Sequence, residues 1–234
     1  EMEEFTGKLA NQDIIDVLNT ESWKITKTIE LVNKLVNENK KVIVWSIFNE
    51  NTDRLASHLS YLNPKIIRGS TPCAEIHPGT VIEDLDGGTR EGILRDFKEE
   101  ESCRVLIANP AACGESISLH HWCHDAIYFD RNYNAGQFLQ SCDRIHRYGM
   151  HPVSNIITCA NTIVTYYVLI SEGTIDEHIS SKLEEKIERQ KRILNSGDYS
   201  EPLEEKGTLS SDVSGMSNED FEDFVEYTRS KTEV

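Results

Sequence analysis

The chain has 234 residues, 40 of them acidic and 24 basic, and its net charge of −16 excludes a generally basic nucleic-acid binder. A hydrophobic content of 38% suits one large soluble domain or two small ones. The longest apolar run, 163–170, is far too short to cross a bilayer.

The six cysteines (73, 103, 113, 123, 142 and 159) form no CxxC pair, which points to free thiols in an intracellular compartment, cytoplasmic, nucleoid or nuclear. The chain starts at Glu1 without a secretory signal pattern, and we read it as a piece of a longer protein. Half of the net charge lies in residues 197–234, which hold eleven acids and three bases and read as a flexible acidic tail.

Residues 1–20 form a polar entry segment with a short helix expected at 13–18. From 22 to 37, Ile25, Ile29, Val32, Leu35 and Val36 recur at helical spacing and predict an amphipathic helix. The dense β-branched and aromatic run 42–48 predicts a strand buried on both faces, as in a parallel sheet. A helix at 51–62, with Leu55, Leu59 and Leu62 inward, and a strand at 65–68 follow. Residues 72–88 carry two prolines and three glycines and read as an inserted loop, or the turn itself lies at 85–89. A helix at 90–99 and a buried strand at 104–108 continue the alternation, which is the signature of an α/β fold.

The segment 120–125 holds three histidines and a cysteine, but adjacent ligands cannot all face one ion and no second pair stands nearby, so a turn is expected there. Strands are expected at 126–129 and 164–170. Thr174 and Glu177 have capping-box spacing, and Ile175, Ile179, Leu183, Ile187 and Leu194 follow along a charged helix. Phe221 and Phe224 mark 216–227 as a small docking helix or a segment that folds on binding.

Around Gln140, helical projection puts Gln140, Arg144 and Arg147 on one side and Phe138, Cys142 and Ile145 on the other. The polar face offers guanidiniums suited to anionic oxygens. The pattern Gln140-x-x-x-Arg144-Ile145-His146-Arg147-x-Gly149 resembles motif VI of the SWI/SNF-type helicase-like ATPases, a branch of helicase superfamily two. Residues 127–134 resemble the strand, Asp and Asp-Trp-Asn segment before that motif, and the match is continuous from Val105 to Gly149. Residues 41–48 resemble motif IV, and 67–71 the strand end and Gly-Ser/Thr turn that follows it. Residues 109–119 are similar to motif V, with Asn109-Pro110 in place of Ser-Thr and with Cys113 and Ser116 in place of glycines.

The resemblance covers about 22–194 and implies the second RecA-like lobe alone: a parallel sheet flanked by helices (21–196), a C-terminal helix and the acidic tail (197–234). It implies a motor lobe of an ATP-dependent double-stranded DNA translocase or remodeller. In that role Arg144 and Arg147 are arginine fingers, Gln140 couples the nucleotide to the opposing lobe, and Gly114, Glu115 and Asp143 border ATP. Ser46, Gly69, Ser70, Thr71 and Asn109 would grip the DNA backbone, a sequence-independent contact. No phosphate loop or magnesium box is present, so ATP and Mg would be held mainly by an N-terminal RecA-like lobe of the same protein, and this lobe alone is expected to be inactive. The alternatives are a strand-separating superfamily-two helicase lobe and a non-enzymatic RecA-like scaffold. The acidic tail is expected to meet a protein partner or to compete with DNA.

Overall fold

The computed structural model describes residues 22–75, 85–113, 117–146, 163–196 and 217–232. Its described elements, in chain order, are α1 (Trp23–Asn37), β1 (Val42–Trp45), α2 (Asn49–His58), a 3-10 turn (Ser60–Leu62), β2 (Lys65–Ile67), α3 (Arg90–Glu99), β3 (Val105–Ala108), β4 (Asp125–Tyr128), α4 (Ala135–Asp143), β5 (Thr165–Val168), α5 (Ile175–Ser196) and α6 (Asn218–Thr232). The five strands form one sheet in the order β2-β3-β1-β4-β5, and every neighbouring pair is parallel.

Side chains on successive strand residues point to opposite faces, and here both faces are apolar because both are covered. Ile43, Trp45, Leu106, Ala108, Ala126 and Tyr128 face α3 and α4, packing with Ile93, Phe97, Phe138 and Ile145. Val42, Val44, Val105, Ile107 and Ile127 face α1 and α2, against Ile25, Val32, Leu35, Leu55 and Leu59. A one-residue slip of β1 would exchange these two sets, so the register is strongly specified.

Local chemistry sets the ends. α1 closes with Asn39 in the left-handed region at φ 65°; Asn39 N–H donates to Val36 O and Lys40 N–H to Leu35 O, a Schellman arrangement. The Thr89 hydroxyl caps α3 by accepting from Gly92 N–H. Gly92 is required by close approach, since a Cβ there would stand 2.1 Å from Asp86 O. At the other end of α3, the Lys41 ammonium donates to the carbonyls of Phe97, Lys98 and Glu100, satisfying groups the helix leaves open.

Several sequence expectations shift. The strand expected at 42–48 ends at Trp45, and Phe48 is half-exposed as the residue before α2. The helix expected at 51–62 breaks into α2 and the 3-10 turn. Around the 72–88 segment, Arg90 N–H donates to Pro72 O and Ala74 N–H to Glu91 Oε2, so its two described ends meet at the start of α3. Gly88 N–H and Thr89 N–H turn back on Asp86, so a turn does lie within 85–89, while residues 76–84 of the expected inserted loop lie outside the described residues. The capping box on Thr174 and Glu177 is corrected: Thr174 Oγ1 accepts from Asp176 N–H, and it is Asp176 that reaches back to Ser171 N–H. Ile175 is correspondingly exposed and His178 takes a buried place on α5. Residues 218–232 of the tail are the helix α6, docked on α5. The expected helix at 13–18 lies outside the described residues.

Candidate functional site

In a parallel sheet the loops after the strands share one edge, and ligands sit where neighbouring connections leave in opposite directions. Here β1 leads toward β2 at one side of the sheet and β4 toward β5 at the other, so the switch lies between the ends of β1 and β4. Asp130 occupies it. Its carboxylate accepts from Ile47 N–H at 2.5 Å, Ser46 Oγ at 2.9 Å and Asn51 Nδ2 at 2.9 Å. Burial pushes the Asp130 carboxyl above the ordinary carboxylate range, against the pull of those three donors and of Lys24. In the sequence Asp130 stood out only as the polar end of a strand and the Asp of the segment before the Gln140–Gly149 pattern, with no sign of these three partners.

The neighbouring strand ends join this network. Asn109 Nδ2 donates to Ile47 O, and its Oδ1 accepts from Ala111 N–H. That side chain therefore does locally what Pro110 cannot, ordering the loop after β3 while pinning the loop after β1. Asn109 N–H also donates to Ile67 O at the end of β2. There Arg68 N–H donates to Thr71 Oγ1 and Thr71 N–H to Arg68 O, folding residues 68–71 into a tight turn. Gly69 and Ser70 stand exposed at its tip, and nothing lies within 4 Å of a Cβ built on Gly69.

The structure thus brings Ser46, Asn109 and Gly69, Ser70 and Thr71 to one edge, in different roles. Ser46 is fully buried and its hydroxyl donates to Asp130, so it supports the edge from beneath. Gly69 and Ser70 are the accessible members.

A second group lies on the face of the sheet under α3 and α4. Asn134 Oδ1 accepts from Gln137 N–H and starts α4, which runs to Asp143. The helix is shorter than projected, and Arg144 begins the turn after it. Ser141 and Ile145 are buried, Phe138 and Cys142 half-buried, and Gln140 and Asp143 exposed. Arg144 is half-buried; its Nη1 donates to Ile117 O at 3.2 Å, and its carbonyl accepts from Leu119 N–H at 2.8 Å. Burial pushes the Cys113 thiol up to about 12, against the positive charges of Arg144 and Arg90 nearby. Arg90 was missed at the sequence level. Its guanidinium reaches Thr71 O at 3.4 Å, and its Nε is buried without a partner among the described residues. The loop after β3 therefore links both groups, with Asn109 at the edge and Cys113 beside the arginines. Arg147, Gly114 and Glu115 lie outside the described residues.

Arg131, also missed, follows Asp130. Its Nη2 donates to Ser180 Oγ on α5 and its guanidinium stacks over Phe138 at 5.6 Å, so it braces α4 against α5.

Residues 23–149, more than half of the chain, match the family described as the helicase conserved C-terminal domain. The chain belongs to that family. This helicase C-terminal lobe is of the SWI/SNF type within superfamily two. It is 27% identical over 178 residues to the chromatin-remodeling ATPase INO80 of Gibberella zeae, covering 76% of this chain and 8% of that protein. To the human protein of the same name it is 26% identical over 184 residues, covering 78% of this chain and 10% of the other. The lobe thus spans about a tenth of these relatives. A crystal structure of the C-terminal part of the Fun30 ATPase domain shares its fold, with a TM-score of 0.51 and 24% identity over 76% of this chain and 49% of that one.

Proposed function

We propose that this lobe is the second motor lobe of an ATP-dependent double-stranded DNA translocase or remodeller. The observation that carries the reading is the joining, through the loop after β3, of an exposed small-residue turn and the Gln140–Arg144 end of α4. One group suits a phosphate backbone and the other suits a nucleotide, so closure on ATP in one place alters the grip in the other.

The donor set fits a polyphosphate. Guanidiniums at Arg144 and Arg147 and the exposed amide of Gln140 are all hydrogen-bond donors, and the arginines keep their charge at any working pH. When bound between two lobes, ATP supplies the phosphoryl group that is transferred to water. Arg144 and Arg147 are assigned to the charge that develops on its terminal phosphate, and Gly114, Glu115 and Asp143 to its surroundings. The accompanying magnesium and the phosphate loop are assigned to an N-terminal lobe.

Gly69, Ser70 and Thr71 are assigned to the DNA backbone, with Asn109 holding the adjacent loop. The relatives are named as chromatin-remodeling ATPases, which supports a duplex substrate and an intracellular, nuclear or nucleoid setting.

The test is ATP turnover by the full-length parent, with and without duplex DNA, for wild type, Arg144→Ala and Arg147→Ala. DNA-stimulated turnover that collapses in each variant is expected. Wild-type turnover by both variants would refute the arginine assignment, and an intact parent with no turnover would refute the motor reading.

A further inference from the structure

Among the described residues, the acidic helix α6 packs on α5 through Asp220, Asp223, Phe224 and Tyr227. Lys186 Nζ donates to Asp220 at 2.9 Å, and Lys182 pairs with Asp223. Tyr227 Oη donates to Glu177 at 3.0 Å. The rings of Phe224 and Tyr227 lie 5.8 and 5.2 Å from that of His178, which is itself buried. Ser217 and Asp220 cap the helix reciprocally, Asp220 N–H donating to Ser217 Oγ and Ser217 N–H to Asp220 Oδ2.

These contacts continue into the segment that launches α4. Lys186 Nζ also donates to Tyr133 O at 3.0 Å, and Tyr133 Oη bonds His178 Nδ1 at 2.9 Å. Tyr133 immediately precedes Asn134, the N-cap of α4. One ammonium is therefore shared between the acidic helix and the backbone from which the Gln140–Arg144 end departs.

We propose that the His178–Lys182–Lys186 face of α5 is a docking surface for an acidic aromatic helix, that α6 is its reversible occupant in cis, and that its docking steadies the start of α4. Three features give the occupant and its reversibility. The fit is one of opposite charge, Asp220 and Asp223 against Lys186 and Lys182. Phe221, on the same helix, is 57% exposed, so α6 is held along one side only. A 15-residue helix is marginal alone in water, so α6 keeps its hydrogen bonds chiefly while docked. When α6 leaves, Lys186 loses its carboxylate, and the Tyr133 carbonyl and hydroxyl lose the packing that orients their partners. The clasp concerns this chain's own helices and stands whether or not the parent turns over ATP.

Hydrogen exchange read by mass spectrometry on the full chain tests it, comparing wild type with Lys182→Glu. The variant sets a like charge against Asp223 and leaves both the Lys186–Tyr133 bond and the Ser217–Asp220 cap in place. Amides of α6 are expected to exchange about tenfold faster and those of 131–140 several-fold faster, with β1 and β3 unchanged. Unaltered protection of α6 would overturn the ionic clasp. Faster exchange in α6 with 131–140 unchanged would overturn its hold on α4. Should β1 and β3 also lose protection, Phe224→Ala, which removes one ring from His178 and no charge, is read on the same terms.

Discussion

Replacing Asp130 by alanine tests whether the crevice between β1 and β4 is held by one carboxylate. The substitution strips three donors of their acceptor. Ile47 N–H is left buried and unpaired, at a cost of about 1–3 kcal/mol. Ser46 Oγ falls back on Phe48 O at 3.4 Å, a poor bond, so roughly 1 kcal/mol more is lost. Asn51 is only partly buried and recovers water, which adds little. Against this, burial raises the carboxyl's pKa, so removing the group also relieves an ionised form that the fold disfavours. The two losses together, about 2–4 kcal/mol, are therefore the upper bound of the expected effect, a large share of a typical domain's stability. Asp130→Asn keeps one acceptor oxygen and is expected to lose about half as much. Equilibrium urea unfolding of the full chain, followed by far-UV circular dichroism, measures both. A loss below about 1 kcal/mol for the alanine variant, with the slope of the transition unchanged, would refute the network.

Arg144→Ala removes the partly buried bond to Ile117 O, worth about 1 kcal/mol, so the lobe should stay folded while turnover by the full-length parent falls about a thousandfold or more; urea unfolding and a coupled ATPase assay separate the two effects. Ser70→Glu, at the exposed tip of the 68–71 turn, should leave stability unchanged and weaken duplex binding by the parent, with a shallower dependence of affinity on salt; fluorescence anisotropy across a salt series would detect either outcome. Docking of α6 should also respond to pH. His178 is held below its ordinary pKa by burial and then by Lys182, with Asp223 and Asp220 opposing and the rings of Tyr133, Phe224 and Tyr227 packed around it. A base with a depressed folded pKa contributes stability that is complete above its unfolded value, near 6.5, and is lost as pH falls toward the folded value. Protection of α6 amides, corrected for intrinsic exchange, should therefore decline below about pH 6.5 in wild type and not in His178→Phe.

The alternation of helices and strands was legible because the central strands β1, β3 and β4 are buried on both faces and the helices that cover them carry apolar stripes. Residues 90–99 are the clearest case, with Ile93, Leu94 and Phe97 marking the inner face of α3; the Thr89 cap at its start is seen only in the structure. Less legible were the ends. Nothing in the run 42–48 announces that pairing stops at Trp45, because Ile47 and Phe48 suit a strand; what stops it is the Asp130 carboxylate taking Ile47 N–H. Asp130 comes from 83 residues downstream, and such a contact has no local signature. The same holds for Thr174: the box spacing was right, but Asp176 is drawn to Ser171 and Lys24, leaving Glu177 to accept from Tyr227. Of the site, Gln140 and Arg144 were readable from a familiar pattern. Arg90 and Arg131 were not, since their places beside Thr71 and Phe138 follow from the fold alone.

The strand order carries a consequence for how the lobe comes into being. The central strand, β1, is the first of the five in the chain, yet its two neighbours, β3 and β4, begin at Val105 and Asp125. During synthesis at about 5–20 residues per second, Val42–Trp45 waits roughly 3–12 s before its first partner emerges. For that interval Val-Ile-Val-Trp is a four-residue apolar ribbon with both edges open, the kind of segment that aggregates or recruits a chaperone. Lys40 and Lys41 directly before it, and Asn49 and Glu50 shortly after, are the polar flanks that keep the nascent chain soluble until the sheet can close.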